Sequence, residues 1–516
     1  MDPPPPPVIR AYYEAAAAAV SANGPLAVAF AQVGSFYEAY GFGDHGHDIH
    51  ELAEVLRPIV VTRRDKSRPA SAANPWFIGA PCNSFAKYAS LLVDNGYTVV
   101  TLDQVQAPDG KIATARRVSR VYSPGVPVEC RGDSNVVMCV YVEETRVGTL
   151  ASAATVDIVT GETACAQFAG MEGDRKLAID GAAAFARRTS PKETIFVGAG
   201  VDPIPAAFGI ARREARLTTN QVEGIVRLVF GDLPLVDAHE CLGLGRRPGC
   251  FEALATALNF AWKRDESCIH GVTIPEIIEE DGALDIQETS LTQLDVSAEG
   301  ILACVARPKT AAGRRLLARR VTRPSADAGV IRKRHDLVAE MIEKEDFDRA
   351  RKELARCVDL DRFARRLARG SVNPNEWSAV VRTIEIGERE CGASARDLLE
   401  AVSRAIDIDA CESTITRNVF VRGARPACDA LQEAFNEAFA VIARACDCLN
   451  AAAKNAAGDA IFKVSNTGDT ITITTTAKRF EKAMQELRAR VVRVGTVTFD
   501  ASTLRARRAT PSSQSV

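Results

Sequence analysis

Gln32-Val33-Gly34-Ser35-Phe36-Tyr37-Glu38-Ala39-Tyr40 sets an aromatic ring and a carboxylate two residues apart. On an extended chain side chains alternate between faces, so Phe36 and Glu38 share one face. A ring beside an acid can wedge between stacked bases while the acid hydrogen-bonds an exposed base edge. Unstacking costs about a few kcal/mol per step, less where pairing is already broken. In an arbitrary protein the same spacing gives a buried Phe and a surface Glu, so its meaning depends on its surroundings.

Those surroundings mix strand and helix signals. Leu26–Gln32, Tyr97–Gln104 and Arg117–Ser123 predict strands. Asp48–Leu56 and Ser84–Asn95 carry helical spacing, with Gly96 where a C-terminal cap glycine belongs. Ser123-Pro124-Gly125 is a turn signal that closes this α/β unit. A second small α/β unit follows. Asn135–Val142, Thr155–Val159 and Glu162–Phe168 predict strands, with Thr160-Gly161 as a hairpin turn, then a helix at Arg175–Arg187 and a strand at Glu193–Val197.

From about Glu240 long helices rich in Arg, Ala and Leu are expected. Phe347, Leu354, Val358, Phe363 and Leu367 recur at helical intervals, and Asn373-Pro374-Asn375-Glu376 has the features of a helix start. Ile461–Val464 and Thr470–Thr476 flank Asn466-Thr467-Gly468-Asp469 as a β-hairpin, a last helix is expected at Lys478–Val491, and the tail beyond it looks disordered. No internal repeat is visible.

The chain's 516 residues suit two to four domains. A net charge of −2 excludes a polybasic protein as a whole but hides local excess: residues 301–390 hold 21 basic against 14 acidic side chains, and 462–516 hold 10 against 4. Such segments are either solvated helix faces or contacts to a polyanion. No apolar run approaches the roughly 18 residues that span a bilayer. Met1–Val8 lacks the order of a signal peptide. Fourteen cysteines, among them Cys139, Cys165, Cys304 and Cys357 in apolar contexts, point to reduced, buried thiols in an intracellular protein.

Motifs for chemistry are few. No Gly-x-x-x-x-Gly-Lys-Ser/Thr loop occurs, and Gly243–Gly249 lacks the lysine and hydroxyl that such a loop needs. His47 and His50, three apart in an acid-containing cluster, could bind a metal, but Asp48 there reads more simply as the start of a helix. Asp157 alone makes no two-metal nuclease. No catalytic or metal residue is therefore assigned.

The segment Gly34–Glu38 closely resembles the Phe-x-Glu mismatch-reading motif of the MutS family of DNA mismatch repair proteins. The resemblance continues in order through Phe77–Pro81, Lys87-Tyr88, Asp94–Val100 and Arg116–Gly125. It extends through Leu284–Thr289, Thr310–Leu317, Arg332–Leu337, Asp359–Arg369 and Gly370–Trp377, and Gln32–Gly41 looks most like the subfamily of large DNA viruses and some mitochondria. The resemblance implies a multidomain α/β plus all-α fold. Residues 1–24 would be a flexible N-terminus, 25–125 an α/β mismatch-recognition domain, and 126–239 an RNase H-like connector. Residues 240–400 would be a helical lever, 401–495 a helical clamp with its β-hairpin, and 496–516 a disordered tail.

By the same resemblance Phe36 is the stacking wedge and Glu38 the acid on the mispaired base. Arg63, Arg64, Lys463, Lys478 and Arg479 are candidates for backbone phosphate contacts. The implied partner is double-stranded DNA, preferentially mismatched, with no membrane. Family members continue into a C-terminal ATPase that supplies most of the dimer interface, and no such segment follows here. No cofactor is thus expected on this chain, ATP and Mg belonging to that ATPase, and dimerisation is not expected without it. The alternatives are a DNA-sensing subunit completed by a separate ATPase chain, or a degenerate interaction module. Location would be the host cytoplasm or nucleus if viral, or the mitochondrion.

Overall fold

Ala27–Val33 (β1) alternates its side chains between two covered faces, and the first domain is built outward from it. Phe36–Phe42 (β2) runs back antiparallel, with Val33 opposite Phe36 and Ala31 opposite Glu38. Gly34 begins the two-residue loop at φ 60°, the left-handed conformation that such hairpin loops demand. His45–Gly46 (β3), Thr62–Arg63 (β4), Trp76–Pro81 (β5), Thr98–Gln106 (β6) and Ile112–Tyr122 (β7) complete a sheet in the order β4-β5-β2-β1-β6-β7, with β3 on β2. The computed structural model describes residues 4–106, 112–130, 132–171, 174–198, 204, 206–231, 233, 238–278, 284, 286, 290, 293, 304, 307–322, 324–343, 347–391, 395–412, 418–452, 463–466, 471–474, 491–494, 497–500, 507–508 and 514–515.

Pro7–Asn23 (α1) covers one face of this sheet, where a flexible N-terminus was expected. The reason is a stripe the composition conceals: Ile9, Tyr12, Ala16 and Ala19 fall on one side and bury against Ala29, Ala31, Tyr40, Val100 and Leu102. Ile49–Val55 (α2) and Phe85–Asp94 (α3) cover the other face through Val28, Phe30, Ala39, Ile78 and Leu92. Gly96, at φ 86°, ends α3 as expected.

The second sheet runs in the order β12-β11-β8-β9-β10-β13. Val136–Thr145 (β8), Gly148–Asp157 (β9) and Thr163–Ala169 (β10) form the expected antiparallel meander. Glu193–Gly198 (β11) is parallel to β8, and Ile210–Arg213 (β12) is parallel to β11. Arg175–Thr189 (α4) packs on one face. Beyond Thr219–Phe230 (α5) and Ala238–Cys241 (α6), Pro248–Arg264 (α7) packs on the other. Helix α7 and Glu276–Ile277 (β13) fall in the stretch 240–400 expected as lever, yet they complete this sheet domain. Cys250–Ala261 is apolar on nearly every side, which marks a core helix rather than a helix with a solvated face.

Helices follow: Ala311–Thr322 (α8), Ala328–Glu343 (α9), Phe347–Leu354 (α10) and Leu360–Ala368 (α11). Of the apolar stripe expected here Phe363 is buried, whereas Phe347 and Leu367 stay nearly half exposed. These elements belong to one compact unit, Met1–Val372.

The other unit, Asn373–Val516, opens with Glu376–Cys391 (α12), where the Glu376 side chain accepts from the Asn373 N–H as the cap reading predicts. Arg396–Ala405 (α13), Ile408–Glu412 (α14) and the long Pro426–Ala452 (α15) follow. Val402, Ile406 and Cys411 make its small core with Trp377 and Phe420. Lys463–Asn466 (β14) pairs antiparallel with Ile471–Thr474 (β15), as the hairpin reading expects.

Val491–Val494 (β16) pairs with Val497–Asp500 (β17), where the end of a helix and a disordered tail were expected. Arg507–Arg508 (β18) and Gln514–Ser515 (β19) also pair. Val491-Val492-Arg493-Val494 and Val497-Thr498-Phe499 are β-branched and aromatic, a strand composition on both sides of a two-residue gap.

Among the described residues no helix is long and apolar enough to cross a membrane. Cys139, Cys165, Cys250 and Cys268 are buried free thiols, and burial raises the Cys268 thiol to about 12; Cys304 is exposed, contrary to its apolar reading.

Candidate nucleic-acid interface

Strand alternation sends Phe36, Glu38 and Tyr40 to the α1 side of the first sheet, and Tyr37 and Ala39 to the other. Helix α1 reaches only as far as Tyr40, whose ring meets Tyr12 at 5.0 Å and Phe77 at 5.5 Å. Glu38 and Phe36 lie beyond that cover. Phe36, 43% exposed, stands at the hairpin tip. On the opposite face Tyr37 packs on Phe85 and donates to Asp103 at 2.6 Å, which anchors the strand.

The neighbours of Glu38 across the sheet are Ala31 on β1 and Gly79 on β5. With no side chain at Gly79, the Glu38 Cγ and the Phe36 ring edge occupy that space, 3.5 and 3.9 Å from where a Cβ would sit. The Glu38 side chain is only 14% exposed. Its Oε2 accepts from the Tyr40 hydroxyl and, at 3.3 Å, from Arg64 Nη2. The same Arg64 nitrogen donates to the Tyr40 hydroxyl at 2.6 Å, and its guanidinium lies 5.4 Å from the centre of the Tyr40 ring. Arg64 itself is nearly half exposed.

The sequence-derived residues are thus brought together in part. Phe36, Glu38 and Arg64 form one cluster. Arg63 sits on β4 with its guanidinium 4.5 Å over the ring of Trp76, its cross-strand partner. Lys463 lies on β14 in the other unit, and Lys478 and Arg479 fall outside the described residues. Sequence reading missed Tyr40, although it continues the same alternation one step past Glu38, and it missed Gly79.

The basic excess in 301–390 has another use as well. Arg314 pairs with Asp133, Arg315 with Asp359 and Asp361, and Arg319 with Glu162. Arg362 donates to the Cys130 carbonyl, Arg365 to the Cys268 and His270 carbonyls, and Arg369 to Ser267. These arginines hold α8 and α11 against the second sheet domain.

The other candidates for chemistry are structural. Asp157 Oδ1 accepts from the backbone N–H groups of Asn135 and Val159 and closes a turn. Asp48 caps α2 by accepting from His50 and Glu51. His47 Nε2 accepts from the Ala29 N–H at 2.9 Å, a strand donor that β2 does not reach. Burial lowers the His47 imidazole to about 4, so it stays neutral at neutral pH.

This has a pH consequence. In the unfolded chain His47 titrates near 6.5, so between about 6.5 and 4 the unfolded state binds the extra proton and stability falls as pH falls. A loss of about 2 kcal/mol is expected between pH 7 and pH 5. Urea unfolding at the two pH values should show that increment in the natural chain and not in His47→Gln; equal increments would refute it.

The family model MutS domain I matches residues 7–130, and MutS domain III matches residues 282–461, together more than half of the chain. The chain belongs to the MutS family. The first MutS match begins where α1 begins and contains the whole Phe36–Glu38 cluster. A DNA mismatch repair protein MutS of Anaeromyxobacter dehalogenans is 26% identical over 437 residues, 77% of this chain and 46% of that protein. One of Solibacter usitatus is 24% identical over 389 residues, 70% and 41%. A DNA mismatch repair protein mutS homolog of Acanthamoeba polyphaga mimivirus is 23% identical over 412 residues, 69% and 36%. The chain therefore spans less than half the length of these MutS relatives.

Proposed function

We propose that this chain is the DNA-sensing part of a mismatch repair protein, which recognises mispaired or weakly stacked sites in duplex DNA. Phe36 wedges into the base stack, Glu38 accepts a hydrogen bond from the exposed base edge, and Arg63 and Arg64 bear on the nearby backbone. The observation that carries this is the position of a 43% exposed ring at a hairpin tip, on the same face as a carboxylate with room left beside it by Gly79. The order β12-β11-β8-β9-β10, a meander followed by parallel β11 and β12, supports reading the second domain as an RNase H-like connector without nuclease chemistry. The long α15 and the β14–β15 hairpin support a clamp, with Lys463, Lys478 and Arg479 as its phosphate contacts.

Fluorescence anisotropy with a single-mismatch duplex and its fully paired counterpart tests the reading. The chain should prefer the mismatch, and both affinities should fall as salt rises. Phe36→Ala should reduce the preference about tenfold, the size of one lost base-stacking contact, and leave the salt slope. Equal affinity of the natural chain for both duplexes at several salt concentrations would sink it.

A further inference from the structure

Glu38 is held asymmetrically. Both of its hydrogen bonds, from Tyr40 and from Arg64, fall on Oε2, and among the described residues Oε1 takes none. A carboxylate with two equivalent oxygens on a flexible stem samples several rotamers, and fixing it costs entropy when a ligand binds. Here that ordering is done within the fold. Tyr40 is 1% exposed, wedged between Tyr12 and Phe77, so its hydroxyl cannot swing away. Arg64 closes the triangle by donating to both partners. Gly79 and Ala31 on the flanking strands leave Oε1 open beside Phe36.

We propose that Tyr40 is a positioning residue that sets specificity: with Arg64 it ties Oε2 of Glu38 and presents Oε1 as one preoriented acceptor for an N–H donor on an exposed base edge. The proposal rests on the reading of Phe36 and Glu38 as the base-sensing pair. Tyr40 touches no base itself and acts only through Glu38. A phenylalanine there would keep the packing against Tyr12 and Phe77 and lose only the tie.

The test is a double-mutant cycle on the full chain, read as the ratio of affinities for a single-mismatch duplex and its fully paired counterpart. Tyr40→Phe should lower this ratio about fivefold, as the loss of one charge-assisted hydrogen bond predicts. In a Glu38→Ala background the same change should leave the ratio where Glu38→Ala alone puts it, since a group that acts through Glu38 has nothing left to position. A purely structural role would lower both ratios alike. An unaltered ratio in Tyr40→Phe, or additive losses in the cycle, would overturn the proposal while the base-sensing reading survives. If the natural chain shows no mismatch preference, both fall. Should Tyr40→Phe fail to fold, Arg64→Gln removes the other arm of the triangle and enters the same cycle with the same outcomes.

Discussion

Glu193→Ala is expected to destabilise the N-terminal unit by about 3–5 kcal/mol, the range for breaking a buried ion pair by removing one partner. Glu193 opens β11 with no exposed surface. Its carboxylate accepts from the Ser123 hydroxyl at 2.6 Å, from the Gly125 N–H at 3.0 Å and from Arg212 Nε. Arg212 on β12 in turn donates to the Asn23 carbonyl at the end of α1 and to Thr98 at the start of β6. Arg264, which burial lowers only to about 10 and so leaves charged, donates to Ser123 at 3.2 Å. One acid thus neutralises cations from the second sheet domain and pins the turn that joins it to the first. Gly125 is part of the device, since a Cβ there would come within 2.9 Å of the Glu193 carboxylate.

Taking away the acid leaves Arg212 and Arg264 buried without their anion, whereas Glu193→Gln keeps an oxygen for Ser123 and Gly125 and should cost about half as much. Urea unfolding of the full chain can be followed through Trp76 and Trp262, one in each sheet domain, after Trp377→Phe. The two tryptophans should report one transition in the natural chain and two separated ones in Glu193→Ala. A single unshifted transition would show that the cluster does not couple the domains.

That cluster also marks how far the sequence could be read. The turn Ser123-Pro124-Gly125 was visible as a boundary because Ser, Pro and Gly punctuate chains locally. Its anchoring was not visible, since Glu193 and Arg212 are brought to it by sheet pairing across about 70 and 90 residues of chain. The same contrast holds at the candidate site. Phe36 and Glu38 share a face by the period of a strand alone, and Tyr40 follows from the same period. Arg64 reaches Glu38 only through the β2-β5-β4 pairing, and Gly79 matters only through its register opposite Glu38. Helix α1 was missed because its run of alanines after a proline stretch lowers the contrast between its faces, and the packing of Ile9 and Tyr12 decides the matter. Helix α7 was placed with the wrong neighbours because an all-round apolar helix does not reveal which core it enters.

The arginines of α8 and α11 show the cost of reading charge from composition, and Arg365 is the member with the largest consequence. It is 2% exposed, and its guanidinium donates to the Cys268 and His270 carbonyls while Nε has no partner. Two turns close around it: Gly161 at φ 79° and Gly271 at φ 68° approach so nearly that a Cβ on Gly161 would lie 3.1 Å from the Arg365 Cδ. Burial lowers the guanidinium to about 10, so it remains charged at neutral pH and is solvated by backbone carbonyls.

Arg365→Ala removes both donors, leaves those carbonyls buried and opens a cavity, for an expected loss of about 3–5 kcal/mol. Arg365→Met fills the space without a buried charge and should cost about half of that, because the desolvation of the cation is relieved together with the loss of its bonds. Hydrogen exchange separates this from a general softening. Protection should fall together in Leu360–Ala368 and in Ser267–Thr273, while α1 and β1 keep theirs. If α11 loosens alone, the guanidinium is a local cap on its own helix. If both segments loosen, it is the pin that fixes α11 to the second sheet domain, the role its two carbonyl bonds assign to it.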